Sequence, residues 1–130
     1  MIQESSRIKE FTDLISWQEG HKSVLLVYKM CANFPKSEVF GLTSQMQRSA
    51  VSITSNIAEG FGRQTIKEKI QFYYLAQGSL VELKNQLLIA RDVNYINEEI
   101  FGTISKQLNI THKLLQGLIT KSKSFLNPKS

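Results

Sequence analysis

Proline interrupts helices at a cost of about 3 kcal/mol each, and this chain holds only Pro35 and Pro128. The long run between them is free to be helical throughout. Apolar residues recur through the chain at three- and four-residue spacings, the period of a helix with one face on a core. Four such segments follow one another, at about 13–33, 42–61, 65–94 and 98–124. No alternating strand pattern competes with them.

The first segment ends at Asn33-Phe34-Pro35, because the residue ahead of a proline is pushed out of the α region. Its apolar stripe is Leu14, Trp17, His21, Val24, Tyr28 and Cys31, which makes His21 an interior histidine. The second carries Leu42, Met46, Ala50, Ile53, Ile57 and Phe61, with Ser44 and Gln47 spaced as a capping box and Gly60 and Gly62 as stop signals. The third opens on another capping-box pair, Thr65 and Glu68. Its stripe of Ile66, Ile70, Tyr73, Leu80, Leu83 and Leu87 is widened by Phe72, Leu75, Val81 and Leu88, the pattern of a helix covered on more than one side. The fourth begins after Asn97, a good N-cap, with Glu98 and Glu99 at the positive end of the helix dipole and Lys121 and Lys123 at the negative end. Its stripe is Ile100, Ile104, Leu108, Leu115 and Leu118.

Apart from 34–41, the connections are short, and short connections make successive helices antiparallel neighbours. The expected fold is all-α: one antiparallel up-down-up-down four-helix bundle spanning 1–130, with loose ends at 1–10 and 125–130. A chain of 130 residues buries about two thirds of its unfolded surface, so it owns a core without metals or disulfides. Cys31 is the one cysteine, which excludes an internal disulfide and fits a reducing compartment. The N-terminus has no apolar run and no stretch approaches the roughly 18 residues of a membrane span. A cytoplasmic protein is expected.

The second segment is unusual. Between positions 42 and 62 only Arg48 and Glu59 are charged, whereas a solvent-facing helix usually carries more charge on its outer side. At about 100° per residue, Gln45, Arg48, Ser52, Asn56, Glu59 and Arg63 share one polar arc. Gln47, Val51, Thr54 and Ala58 form a further face of small, weakly polar residues. Glu59 and Arg63 stand i, i+4 with the acid first, the favourable order for an ion pair. Arg48 needs a partner from elsewhere, and Glu82 on the third helix is the candidate. Gly78 lies mid-helix at a cost of about 1 kcal/mol relative to alanine, which points to a close backbone contact near Ser79. These residues define a candidate polar seam between the second and third helices, within or between copies of the chain.

Catalytic patterns are missing. The residues three before His21 and His112 are Gln18 and Asn109, so the Glu-x-x-His pairs of di-iron bundles are absent. Two histidines and one cysteine offer no zinc-ligand cluster. The Gly60-Phe61-Gly62-Arg63 run follows no strand and lacks the rest of a phosphate-binding loop. The reading is of a non-enzyme with no cofactor.

The run LTSQMQRSAVSITSNIAEGFGR at 42–63 closely resembles the signature of the 23S ribosomal RNA intervening-sequence protein family. Trp17-Gln18, Phe34-Pro35 with Glu38, Ala76-Gln77-Gly78-Ser79-Leu80 and Glu82-Leu83 support it, so the resemblance spans nearly the whole chain. It implies a bacterial cytoplasmic four-helix bundle assembling as a ring-shaped homopentamer. A related branch serves as accessory proteins of diversity-generating retroelements, where a basic pentamer binds nucleic acid and a reverse transcriptase. The polar positions carried over are Gln45, Arg48, Asn56, Glu59, Gly60, Arg63, Ser79 and Glu82. Gln47 stands where the family often has arginine, and Gly20 where alanine is usual.

Net charge is +5, from 16 Lys and Arg against 11 Asp and Glu. Multiplied by ring symmetry, such an excess suits an RNA or DNA partner held through phosphates. The contributors considered are Lys22, Lys29, Lys67, Lys69, Lys84, Arg91, Lys106 and Lys113. The alternative is a structural or protein-interaction scaffold without nucleic-acid affinity.

Overall fold

In the computed structural model, residues 7–126 are described. The expectation of loose ends falls in large part on 1–6 and 127–130, outside the described residues. Four helices carry the chain: α1 (Ile15–Cys31), α2 (Leu42–Phe61), α3 (Ile66–Asp92) and α4 (Glu98–Ser124). Among the described residues there is no strand. Each helix packs on its sequence neighbours, and α1 also closes against α4. Cross-helix contacts run in opposite directions along α2 and α3, from Ser52 with Ser79 to Phe61 with Lys69. The same holds along α3 and α4, from Tyr74 with Lys123 to Arg91 with Phe101. The architecture is the up-down-up-down bundle.

The helix ends show why the chain stops where it does. Thr65 Oγ1 accepts the Glu68 N–H at 3.1 Å, and Asn97 Oδ1 accepts the Ile100 N–H at 2.8 Å, as their residue types predict. The α2 start differs from expectation. Ser44 lies inside the helix, and the first turn is capped from outside by Glu38, whose Oε1 accepts the Leu42 N–H at 2.9 Å. Glu38 Oε2 also accepts the Tyr95 hydroxyl at 2.7 Å. Both bonds hold its carboxyl below the usual carboxylate range, the Tyr95 bond more strongly. At the end of α3, Asn94 adopts φ 66° and the Tyr95 N–H reaches back to the Ala90 carbonyl. This left-handed stop suits asparagine and ends the helix at Asp92, short of the expected 94.

The core is built from Met46, Ala50, Ile53 and Ile57 of α2, Ala76, Leu80, Leu83 and Leu87 of α3, and Leu108, Leu115 and Ile119 of α4. On α1 the buried face is rotated from the expected stripe. Ser16, Gly20, Ser23, Val27 and Met30 face inward, while His21 and Tyr28 are exposed. The reason is size. A β-carbon built on Gly20 would lie only 3.2 Å from Thr54 Cγ2, so α1 settles on its smallest residues. The Ser23 hydroxyl then lies 3.2 Å from that of Thr111, satisfying both inside the core. His21 stacks on Trp17 at the surface, with ring centroids 4.8 Å apart.

The tight Gly20 contact makes a clear expectation. Gly20→Leu overfills the α1–α2–α4 junction and should lower stability by about 1–3 kcal/mol. Urea unfolding followed by circular dichroism checks this.

Candidate functional site

The α2–α3 interface holds the polar residues singled out above, in two layers. The inner layer is half-buried and bonded within the chain. Ser52 and Ser79 hydroxyls meet at 2.8 Å, and Asn56 Nδ2 donates to both the carbonyl and the hydroxyl of Ser52 at 2.9 and 3.0 Å. Gly60 is buried next to them. A β-carbon there would lie 2.7 Å from the Tyr73 ring, so glycine lets α3 approach. Arg63 leaves the same helix end, bonding Glu59 at 2.8 Å and lying 4.5 Å over the Phe72 ring.

The outer layer faces away from the bundle. Gln45, Arg48, Glu59 and Glu82 lie on this side, and all four are exposed. Gln45, Arg48, Ser52, Ser79 and Glu82 line one groove of about 740 Å³, together with Tyr28 and Gln86. Among the described residues Arg48 and Glu82 share no ion pair, so the expected Arg48–Glu82 partnership is not made within the chain. Gln86 is 5% exposed, and its Oε1 finds no hydrogen-bond partner among the described residues. Gly78 departs from expectation too. Among the described residues, nothing outside its own helical turn lies within 4 Å of where its β-carbon would stand. It looks outward, in line with Leu75 and Ile89, which are 55% and 42% exposed. The apolar pattern assigns the second arc of α3 to burial; within one chain that arc is open.

The basic candidates do not share a face. Lys22 pairs with Glu19 at 2.8 Å on α1, and Lys29 is exposed on the same helix. Lys67 is exposed near the start of α3, and Lys69 Nζ caps the last carbonyl of α2 at Phe61. Arg91 pairs with Asp92 at 2.9 Å and lies over Phe101. Lys84 Nζ meets His112 Nδ1 at 2.8 Å across α3 and α4. Lys106 and Lys113 line one shallow groove of about 430 Å³ on α4. Lys123, which the helix dipole alone would place at the end of α4, stands 5.1 Å over the Tyr74 ring on this side.

Among the described residues no three His, Cys, Asp or Glu side chains are grouped to hold a metal ion. No helix there is long and apolar enough to cross a membrane. Cys31 is buried, and burial pushes its thiol up to about 11.

This bundle, with its small-residue α2–α3 interface, meets a known sequence pattern. Residues 12–117 match the family described as 23S rRNA-intervening sequence protein. The chain belongs to that family. A search of curated proteins returns no match. Among solved structures, this family member is similar to a protein with unknown function from the S23 ribosomal protein family of Bacteroides thetaiotaomicron. The two share 23% identity with a TM-score of 0.73, covering 81% of this chain and 98% of that one. At that identity the likeness speaks for the fold.

Two expectations follow from the bonds described. Ser52→Ala and Ser79→Ala should each cost about 0.5–1.5 kcal/mol, and the double variant should cost less than their sum because they share one bond; a double-mutant cycle in urea measures this. With the Lys84 ammonium donating, His112 Nδ1 is the acceptor and the ring is neutral. Burial, then the neighbouring Lys84 charge, lowers the His112 pKa below its ordinary value of 6.5. The unfolded chain therefore binds the proton first. Stability should fall as pH drops below 6.5 towards the folded-state value, and His112→Gln should flatten that limb of a Tm-against-pH curve.

Proposed function

We propose that this family member is a non-enzymatic protein whose working form is a homo-oligomer joined through the outward faces of α2 and α3. The observation that carries this reading is the outward seam of α3. Leu75, Gly78, Glu82, Asn85 and Ile89 recur at alternating three- and four-residue steps along its outer side, and Leu75, Glu82 and Ile89 are exposed. That is the spacing at which one helix meets another. Beside it, α2 offers Arg48, Val51 and Ser55, all three exposed.

Three features support a second copy as the occupant. Arg48 and Glu82 are opposite charges that line one groove without pairing in the chain, and a neighbouring copy brings each the partner it lacks. Gly78 costs helix stability and serves no close contact among the described residues; a second backbone can approach there. The Gln86 carboxamide oxygen is buried without a donor among the described residues, a state worth about 1–3 kcal/mol to relieve. The family resemblance sets the expected copy number at five and the compartment as the bacterial cytoplasm, where a buried free thiol such as Cys31 persists.

The broad form of the polyanion reading, in which all eight candidate basic residues act together, has less support. Lys22, Lys69 and Arg91 are engaged in contacts of their own. In this reading the chain is first a scaffold.

Light scattering coupled to size exclusion tests it. The wild type should elute as a discrete oligomer. Leu75→Asp with Ile89→Asp should release monomers that keep their helical circular dichroism, since both positions are exposed, and Arg48→Ala should weaken the assembly. A wild type that remains monomeric at tens of micromolar overturns the reading.

A further inference from the structure

Charge is distributed unevenly over the four helices. After Glu99 the chain contains no acidic residue. Over the same span α4 carries Lys106, Lys113, Lys121 and Lys123, with His112 between them. The acids of α3 are Glu68, Glu82 and Asp92. Glu68 sits in the first turn, Glu82 in the α2–α3 groove, and Asp92 beside Arg91. The side of α3 that meets α4, from Tyr74 to Leu88, is therefore free of negative charge.

The cations there are not spent on ion pairs. Among the described residues, Lys84, Lys106, Lys113 and Lys123 enter none. Lys84 meets His112 instead, and desolvation lowers the Lys84 pKa. Two aromatic rings accompany them. Tyr74, 42% exposed, lies under Lys123, and Phe101 shares the α4 groove with Lys106 and Lys113. Ser105 and Asn109 line that groove as well, giving hydrogen-bonding groups between the charges. Lys106 and Lys113 stand two helical turns apart, about 10 Å by helix rise.

We infer that the α4 surface, from the groove at Lys106 and Lys113 to the α3–α4 seam at Lys84 and Lys123, binds single-stranded nucleic acid. The lysines engage phosphates, and the exposed Tyr74 ring offers a face for an unstacked base. Cations beside an exposed aromatic ring suit a flexible strand, whose bases are free to stack, more than a duplex, whose bases are already stacked. The groove at Lys106 and Lys113 lies on a different helix from the outward seam of α2 and α3, which Tyr74 borders one turn from Gly78. A ring assembled through that seam presents one such surface per copy, so one strand can bridge several.

Fluorescence anisotropy with a labelled oligo-U RNA of about 20 nucleotides tests the assignment, over roughly 50–200 mM NaCl. Lys106→Gln with Lys113→Gln, and separately Lys84→Gln with Lys123→Gln, should each weaken binding about tenfold. Each should also flatten the logarithmic salt slope by about 1.4, at about 0.7 for each phosphate no longer neutralised. Tyr74→Ala should weaken binding about fivefold with the salt slope unchanged. The control pair Lys22→Gln with Lys29→Gln on α1 should stay within about twofold, because the same number of charges is removed elsewhere. Equal losses in the control pair would reduce the effect to diffuse attraction and overturn the site. So would no binding at the lowest salt, preference for duplex DNA, or binding to anionic vesicles that RNA does not displace. Mass by light scattering on the same samples separates the two readings: a monomer that binds RNA sinks the assembly and leaves this surface standing.

Discussion

The bundle depends on how closely α2 and α3 approach. They meet through their smallest residues: Ala50 and Ala76 are fully buried, Ser52 and Ser79 touch through their hydroxyls, and Gly60 lies under the Tyr73 ring. A larger side chain at any of these points separates the backbones, and close packing does not tolerate that separation cheaply. The low charge of α2 follows from the same requirement. A helix that must lie near its neighbour has little room for long charged side chains on that side.

That closeness also decides what is left outside. With their small residues turned inward, α2 and α3 present Arg48, Leu75, Gly78, Glu82 and Ile89 on their outer side. On the opposite wall, α4 turns Leu108, Leu115 and Ile119 inward and its lysines outward. One wall is thus sparsely charged and partly apolar, while the other is basic and free of acids beyond its first turn. A low-charge wall favours protein and a basic wall favours phosphate. Two proposals on one small domain therefore need not compete for surface.

Much of the fold is legible from residue spacing. The stripe of α2, the middle of the α4 stripe at Ile104, Leu108 and Leu115, and the caps at Thr65 and Asn97 rest on local chemistry that a single strand of text contains. The ends of the α4 stripe differ: Ile100 is exposed, and Ile119 rather than Leu118 is fully buried. The face of α1 is not legible in this way, because hydropathy rewards Trp17, His21 and Tyr28, while its packing is governed by Ser16, Gly20 and Ser23. Small residues at helical spacing are the available signal. The α2 cap escapes a local pattern because Glu38 acts from outside the helix and is held there by Tyr95, a partner distant in sequence. For the polar seam, spacing alone finds the Glu59–Arg63 pair, but it cannot tell the bonded inner layer of Ser52, Asn56 and Ser79 from the unpaired outer layer of Arg48 and Glu82. The acid-free run after Glu99 is visible in the letters. Its meaning is hidden while Lys121 and Lys123 are weighed only against the helix dipole.

The Glu38–Tyr95 bond has a consequence for mechanics. The α1–α2 and α3–α4 connections lie at the same end of the bundle, and this carboxylate and phenol button one to the other. At the far end the two hairpins are joined covalently through 62–65. Each hairpin is therefore held at both extremities, by a peptide link at one and a side-chain clasp at the other, so neither can slide lengthwise past its neighbour while the clasp is shut.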